Sequence, residues 1–449
     1  MMDKDRGSGA EGALKNLSRF SAVTFATTVL RLGIRVLSNV VFTRLLGPSG
    51  RGAYGLLTTI PGLVVSLGNM GFGLGNVFLI AKRKCDLRAV TGNTLVVTSI
   101  LGTVLTLAGY LLLSYGDILK GDTELIHQFT FLVLCAIPFV LLYEFGSDLL
   151  IATKQINYVN FLGLIFSGLP VILIIIFWFY TGEALNSAMY AWALTVLVVS
   201  VWSILKVMKR DALPLKVSLK HLKEGLSFGS RGYISIFANA MVRRIDFIFI
   251  SSMLGAKDLG YYAISVSIAE ILLSVPDAVN LPFLPLHLGL NRKDAEDTAP
   301  VVIRHVLFIM ILICLFTAII GRYAIWILFG KDFLAAYVPL LWLLPGIFSL
   351  SIFDLLKIDM YRNNLPGFVS MVSLLTLICN LILNYILIPI YGISGAAISS
   401  TVSYSLSTCI LLCNFTRIAK VPYRDVLVIK ISDLMLLWSQ FRYGIKKDK

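Results

Sequence analysis

The chain has 449 residues, of which 57% are hydrophobic and only 14% charged. A soluble domain is roughly 45–50% apolar and about 25% charged, so a water-soluble enzyme is excluded, and with it a disordered or fibrous chain. The formal net charge is +14, which in a soluble protein would point to nucleic acid. Here it is weighed first against the excess of Lys and Arg in the cytoplasmic loops of membrane proteins.

A membrane-spanning helix needs about 20 largely apolar residues. Twelve such runs follow in chain order, at 20–43, 54–80, 90–114, 126–151, 156–180, 186–207, 228–253, 260–286, 301–320, 335–356, 366–388 and 393–415. None alternates like a barrel strand of about ten residues. The expected fold class is all-α, a polytopic membrane protein of about 12 transmembrane helices. A further run, 424–441, is interrupted by Lys430 and Asp433 and reads as an interfacial helix.

The loops between these runs alternate in charge. Lys4, Arg6, Lys15 and Arg19 precede the first run. Lys82, Arg83, Lys84 and Arg88 follow the second, and Lys206, Lys209, Arg210, Lys216, Lys220 and Lys223 follow the sixth. The loop after the third run holds Asp117, Lys120, Asp122 and Glu124, and that after the fifth only Glu183. This asymmetry predicts both termini in the cytoplasm, a multi-pass protein of the cell membrane, and a basic pI that needs no nucleic-acid partner. The first twenty residues are mostly polar, with no secretory signal expected. Six cysteines and four histidines show no paired or metal-ligand spacing, so neither disulfide nor metal is expected.

An internal repeat organises the chain. LGPSGRGAYGLLTTI at 46–60 resembles LGAKDLGYYAISVSI at 254–268, an offset of 208. The same offset pairs Phe20 with Phe228, Lys154-Gln155 with Arg362-Asn363, and Asn186-Ser187-Ala188 with Ser394-Gly395-Ala396. Two six-helix halves each enter from the same side, so they are parallel and enclose a central cavity. The expected division is a cytoplasmic segment 1–19, an N-lobe 20–207, a basic linker 208–227, a C-lobe 228–416 and a basic tail 417–449.

Charges inside membrane helices cost roughly 2.5–3.5 kcal/mol on insertion scales and usually face a cavity. Arg31 and Arg35 lie on one face of the first run, in a stripe with Thr24, Thr28 and Asn39. The seventh run carries Arg231, Ser235, Asn239, Arg243 and Asp246 at spacings of three and four. The repeat maps Arg35 onto Arg243, which would place two permanent positive charges across the cavity. A guanidinium matches phosphate oxygens with a two-pronged fork. Arg31, Arg35 and Arg243, with Thr28, Asn39 and Asn239 as hydrogen-bonding groups, are therefore the candidate substrate-binding residues. Snorkelling to the interface or pairing with acids is the structural alternative, and Asp246, one turn from Arg243, is placed to neutralise it. Glu270, Asp277 and Asp246 are candidates for ion coupling or for counter-ions. Glu144 is a further acid in the membrane, while Asp148 and Asp354 approach the cytoplasmic interface and read as solvated.

Glycine and proline cluster in the second and eighth runs, where they free carbonyls and bend helices. Pro61, Gly68, Gly71, Pro276 and Pro282 are the candidate gates, with close helix packing as the alternative. YGISGAAISS at 391–400 reads as a packing surface. No phosphate-binding loop and no catalytic constellation is present, so the chain is not expected to be an enzyme.

The segments LKNLSRFSAVTFATTVLRLGIRVLSNVVFTRLLGPSGRGAYG and LKEGLSFGSRGYISIFANAMVRRIDFIFISSMLGAKDLGYYA, with YGISGAAISSTVSYSL, resemble the polysaccharide-transporter (oligosaccharide flippase, Wzx-type) branch of the multidrug/oligosaccharidyl-lipid/polysaccharide superfamily. The resemblance covers about residues 14–416. It implies a MATE-like pair of lobes. It also implies movement of a lipid-linked oligosaccharide on a polyprenyl (pyro)phosphate carrier to the outer leaflet, by alternating access. The prenyl tail would stay in the bilayer, passing an opening near helices 1 and 8 or 2 and 7. Proton or sodium coupling, without any other cofactor, and glycan polymerase or ligase partners are further implications, and the chain reads as a monomer. The competing readings are a cation-coupled multidrug exporter, which would line its cavity with acids, a membrane ligase or polymerase, which would need a long outer loop, and a non-transporting scaffold.

Overall fold

The computed structural model describes residues 4–81, 85–115, 123–209, 213–289 and 292–428. Among these, regular structure is helical throughout: α1 Lys4–Gly68, α2 Phe72–Ala81, α3 Leu87–Tyr115, α4 Thr123–Ala152, α5 Ile156–Thr181, α6 Ala184–Met208, α7 Leu219–Val242, α8 Ile245–Leu254, α9 Ala256–Gly289, α10 Arg292–Phe329, a 3-10 turn Lys331–Ala336, α11 Tyr337–Arg362, α12 Pro366–Tyr391, α13 Ile393–Ala419 and the short α14 Tyr423–Leu427. Nine described helices are long and apolar enough to cross a membrane, and Val29–Gly68 with Phe72–Ala81 forms a bent pair at 62°. Most of the interfacial helix expected at 424–441 lies outside the described residues.

The first two expected runs are not separated by a loop. They are joined in α1, which is interrupted only at Gly47 (φ 63, ψ −178). The second run then breaks between α1 and α2, where Met70 (φ 51) and Gly71 (φ 74) take left-handed conformations. The seventh run is likewise two helices, α7 and α8, parted at Arg243 and Arg244. With Gly47 as a boundary and each broken pair counted once, the helices correspond to the twelve runs read from hydropathy.

Two compact units emerge, Met1–Tyr233 and Ile234–Lys449. The division falls inside α7, beyond the 208–227 linker, because the first half of α7 is fastened to the N-terminal unit. Asn93 Nδ2 donates to the Ser218 carbonyl and Asn93 Oδ1 accepts from the Ser218 N–H, both at 2.9 Å. Phe228 stacks on Phe78 of α2 at 3.9 Å between centroids. The Tyr233 hydroxyl donates to the Ser66 carbonyl.

Inside lipid, the hydrophobic effect does not drive helices together, so close fit and side-chain hydrogen bonds do. In the N-terminal unit, Val65, Phe72, Leu105, Leu134, Ile137, Leu141 and Phe145 form one cluster joining α1, α2, α3 and α4. In the second unit, Asn384 Nδ2 donates to Asn380 Oδ1 at 3.0 Å within α12. Thr408 of α13 donates to the Ser349 carbonyl of α11 at 2.8 Å. The small residues of 391–400 lie largely buried at the start of α13.

The repeat is visible in the backbone. Gly47 (φ 63, ψ −178) and Gly255 (φ 91, ψ 175) both follow the leucine of the repeated LG, at the offset of 208. A non-glycine residue is strained at such φ, and glycine is not. Farther along, Lys154 (φ 61) is matched by Asn364 (φ 57), and Gly182 (φ 70) by Gly392 (φ 60). These later turns lie 210 residues apart, so the pairings read at 208 around Lys154 and Asn186 are two residues out of register. Nothing in hydropathy marks a two-residue insertion, because the flanking helices differ freely in length.

Candidate functional site

The second unit holds a cluster of charges at the α7–α8 break. Arg244 Nη2 meets Glu270 Oε1 of α9 at 2.5 Å, and its guanidinium also lies 5.3 Å from the Phe247 ring centroid. Asp246 does not neutralise Arg243, contrary to its position in the sequence. It is buried, accepts from the Tyr262 hydroxyl at 2.5 Å and takes the Phe247 N–H at 2.9 Å. The break between α7 and α8 turns Asp246 away, since one-turn spacing holds only along a continuous helix. The carboxylate facing Arg243 is Asp354 of α11, at 3.8 Å. Asp354, read as solvated, is buried, because Lys357 one turn on holds it at 2.6 Å.

This leaves Arg243 poised. Its side chain is 39% exposed, and the 3.8 Å separation is too long for a hydrogen bond. Two cations thus share the Asp354 carboxylate, and Asp277 of α9 lies within electrostatic reach of all three. Arg243 lines a cleft with Asp246, Tyr262, Glu270, Ser400 and Tyr404. It also borders a second, smaller one with Asn239, Thr376 and Ser407. Asn239 Nδ2 donates back to the Ser235 carbonyl at 2.8 Å and approaches Ser373 Oγ at 3.3 Å. Asp277 stands exposed on α9. Sequence reasoning missed Lys357, Tyr262 and Tyr404. An Asp-x-x-Lys pair at the end of the tenth apolar run was the available signal for Lys357, whereas two buried tyrosines carry none.

In the N-terminal unit, Arg31 is exposed and its Nη1 lies against Gly163 of α5. Arg35 is half-buried. Asn39 Oδ1 accepts from Arg51 Nη2 at 3.1 Å, which ties up one oxygen assigned to substrate. The Thr28 and Arg231 side chains lie outside those described. Glu144 of α4 accepts from Asn69 Nδ2 at 3.1 Å, at the α1–α2 break. Asp148, read as solvated, is half-buried beside Gly73, whose missing Cβ makes the room it occupies. Gly73 sits in the first turn of α2, where a helix N-terminus favours negative charge. Among the described residues, no group of three or more His, Cys, Asp and Glu side chains is placed to hold a metal ion.

The candidate gates separate. Gly68 and Gly71 flank the break in the second run. A Cβ on Gly71 would fall on the Gly229 carbonyl, and one on Gly75 on that of Gly225, so α2 and α7 cross backbone to backbone. Pro61 is buried within α1, with no break assigned there. α9 is a single helix through Pro276 and Pro282, so the eighth run does not repeat the break of the second. Prolines need not interrupt a membrane helix when neighbouring groups satisfy the freed carbonyls. The Pro282 side chain lies outside those described.

A family model described as "Polysaccharide biosynthesis protein" matches residues 41–338. The chain is 22% identical over 228 residues to the "Probable low-salt glycan biosynthesis flippase Agl15" of Haloferax volcanii, an alignment covering 49% of this chain and 48% of that protein. It thus spans about half the length of that curated relative. Among solved structures, the fold matches lipid II flippase MurJ in an inward closed conformation, with TM-score 0.73, 16% identity and coverage of 94% of this chain and 93% of that one. It also matches an inward-facing multidrug resistance MATE family transporter, with TM-score 0.69, 16% identity and coverage of 89% and 98%. The fold is that of MATE-like transporters.

Proposed function

Because the chain belongs to the polysaccharide biosynthesis protein family, we propose that it is a flippase that carries a polyprenyl-(pyro)phosphate-linked oligosaccharide from the cytoplasmic to the outer leaflet. The observation that carries this reading is Arg243, a half-exposed guanidinium held at 3.8 Å from a carboxylate that Lys357 already satisfies. A phosphate arriving there gains charge-assisted hydrogen bonds that the protein leaves unmade. Arg31 and Arg35 would supply the matching charge from the N-terminal unit, and rocking of the two units would expose the head group to each side in turn. Asn239, Asn39 and Thr28 would contact sugar or phosphate. The prenyl tail would remain among acyl chains.

Proton or sodium coupling would fall to Asp277, since Glu270 is held by Arg244 and Asp246 by Tyr262. The product lipid would pass to polymerase or ligase partners at the outer face. In a strain lacking the chain, one lipid-linked oligosaccharide should accumulate facing the cytoplasm. Wild-type protein should clear it, and Arg35→Ala or Arg243→Ala should not, at equal protein level. Full clearance by both variants would remove the phosphate-clamp reading.

A further inference from the structure

Residues 213–218 lead into α7, and with its first turn they do more than connect helices. Residues 213–218 carry no helix, and α7 begins at Leu219. Their large apolar side chains fall on alternate positions, Leu213, Leu215, Val217 and Leu219, and all four are between 39% and 76% exposed. The backbone of the same segment is stitched to the start of α3. Lys216 N–H donates to the Arg88 carbonyl at 3.3 Å, Ser218 is bonded twice to Asn93, and the Lys216 carbonyl occupies the space a Cβ on Gly92 would fill. The ridge is therefore held rigidly outward. Among the described residues, Lys216, Lys220 and Lys223 stand exposed beside it, with two exposed acids nearby, Glu224 of α7 and Asp86 just before α3.

We propose that this ridge is an interfacial anchor that inserts into the head-group region of the bilayer and prefers anionic lipid. Three observations favour a lipid leaflet over a protein partner. The span Leu87–Leu111 begins at the helix to which the ridge is stitched, and Asn93 lies six residues in, about 9 Å along the helix. That matches the depth of roughly 5–10 Å at which interfacial segments lie. Gly92 also heads the stripe of Val96, Ile100 and Val104, which is exposed along α3, so the ridge continues a surface already turned to acyl chains. Finally, apolar side chains flanked by lysines fit acyl chains below anionic head groups.

The test uses the full chain with its six cysteines replaced by serine and Val217→Cys carrying a spin label. The protein is reconstituted in phosphatidylcholine vesicles with and without phosphatidylglycerol. The expected result is relaxation by oxygen exceeding that by a water-soluble nickel chelate in both membranes, more so with phosphatidylglycerol. Dominant nickel relaxation in both would overturn insertion, and so would protection found only in native membranes, which would mean a protein covers the ridge. Independently, native mass spectrometry of the chain with its own cysteines should show phosphatidylglycerol retained over phosphatidylcholine. Each of Lys216→Gln, Lys220→Gln and Lys223→Gln should lower that preference by up to about fivefold. An unchanged preference in the triple variant would overturn the role of charge.

Discussion

Arg243 and Arg244 are adjacent in sequence and opposite in circumstance. Arg244 is spent on Glu270 at 2.5 Å, while Arg243 shares Asp354 with Lys357. Removing Lys357 would leave Arg243 facing Asp354 and Asp277 without a second cation and let Asp354 claim it. Lys357→Ala is therefore expected to slow clearance of the lipid-linked substrate about 10–100-fold, the worth of one or two charged hydrogen bonds. Arg243→Lys should fall between wild type and Arg243→Ala, because an ammonium keeps the charge and loses the fork. Both are read from lipid-linked oligosaccharide turnover at matched expression. Arg244→Ala should act on stability. It strands Glu270 in a partly buried position, at about 1–3 kcal/mol given the residual exposure of the pair. Arg244→Ala with Glu270→Ala should recover much of the lost thermal midpoint, whereas a substrate-binding role for Arg244 would leave the double variant inactive at normal stability.

At the scale of elements, the two broken helices carry most of what is specific here. The α1–α2 break exists because Gly71 accepts a positive φ and because Gly71 and Gly75 let α7 come within backbone contact. Gly71→Ala meets both obstacles at once, left-handed strain and a clash with the Gly229 carbonyl. Large effects of single substitutions come from such sites, and a loss of at least about 2 kcal/mol is expected in thermal unfolding of detergent-solubilised protein. Gly33→Ala, with open space around its Cβ position, should be neutral or slightly stabilising in the same assay. The α7–α8 break has a different consequence. It rotates Asp246 away from Arg243 and toward Tyr262, so the i, i+3 reading of the sequence was correct for a continuous helix and wrong for a divided one.

For the whole molecule, loop charge predicts orientation. Lys216 belongs to a basic loop and Glu183 to a loop without cations. In intact cells, a membrane-impermeant maleimide should label Glu183→Cys, and Lys216→Cys only after permeabilisation. The reverse pattern would overturn the placement of both termini in the cytoplasm, and with it the direction of flipping. The family assignment and the MATE-like fold do not depend on that outcome.

Composition and hydropathy determined the class and the positions of nearly all helices, and matched residues at one offset determined the twofold repeat. The bilayer forces this legibility, since a span must satisfy its backbone internally and be about 20 residues long. The arginines of the candidate site were also legible as residues to explain, because an arginine inside an apolar run needs a reason to be there. Tertiary structure alone decided which charge each arginine meets, where helices break, and that the first half of α7 packs with the N-terminal unit. Those outcomes rest on contacts between residues far apart in the chain, such as Arg243 with Asp354 and Gly71 with Gly229. A periodicity along one segment carries no information about its partner.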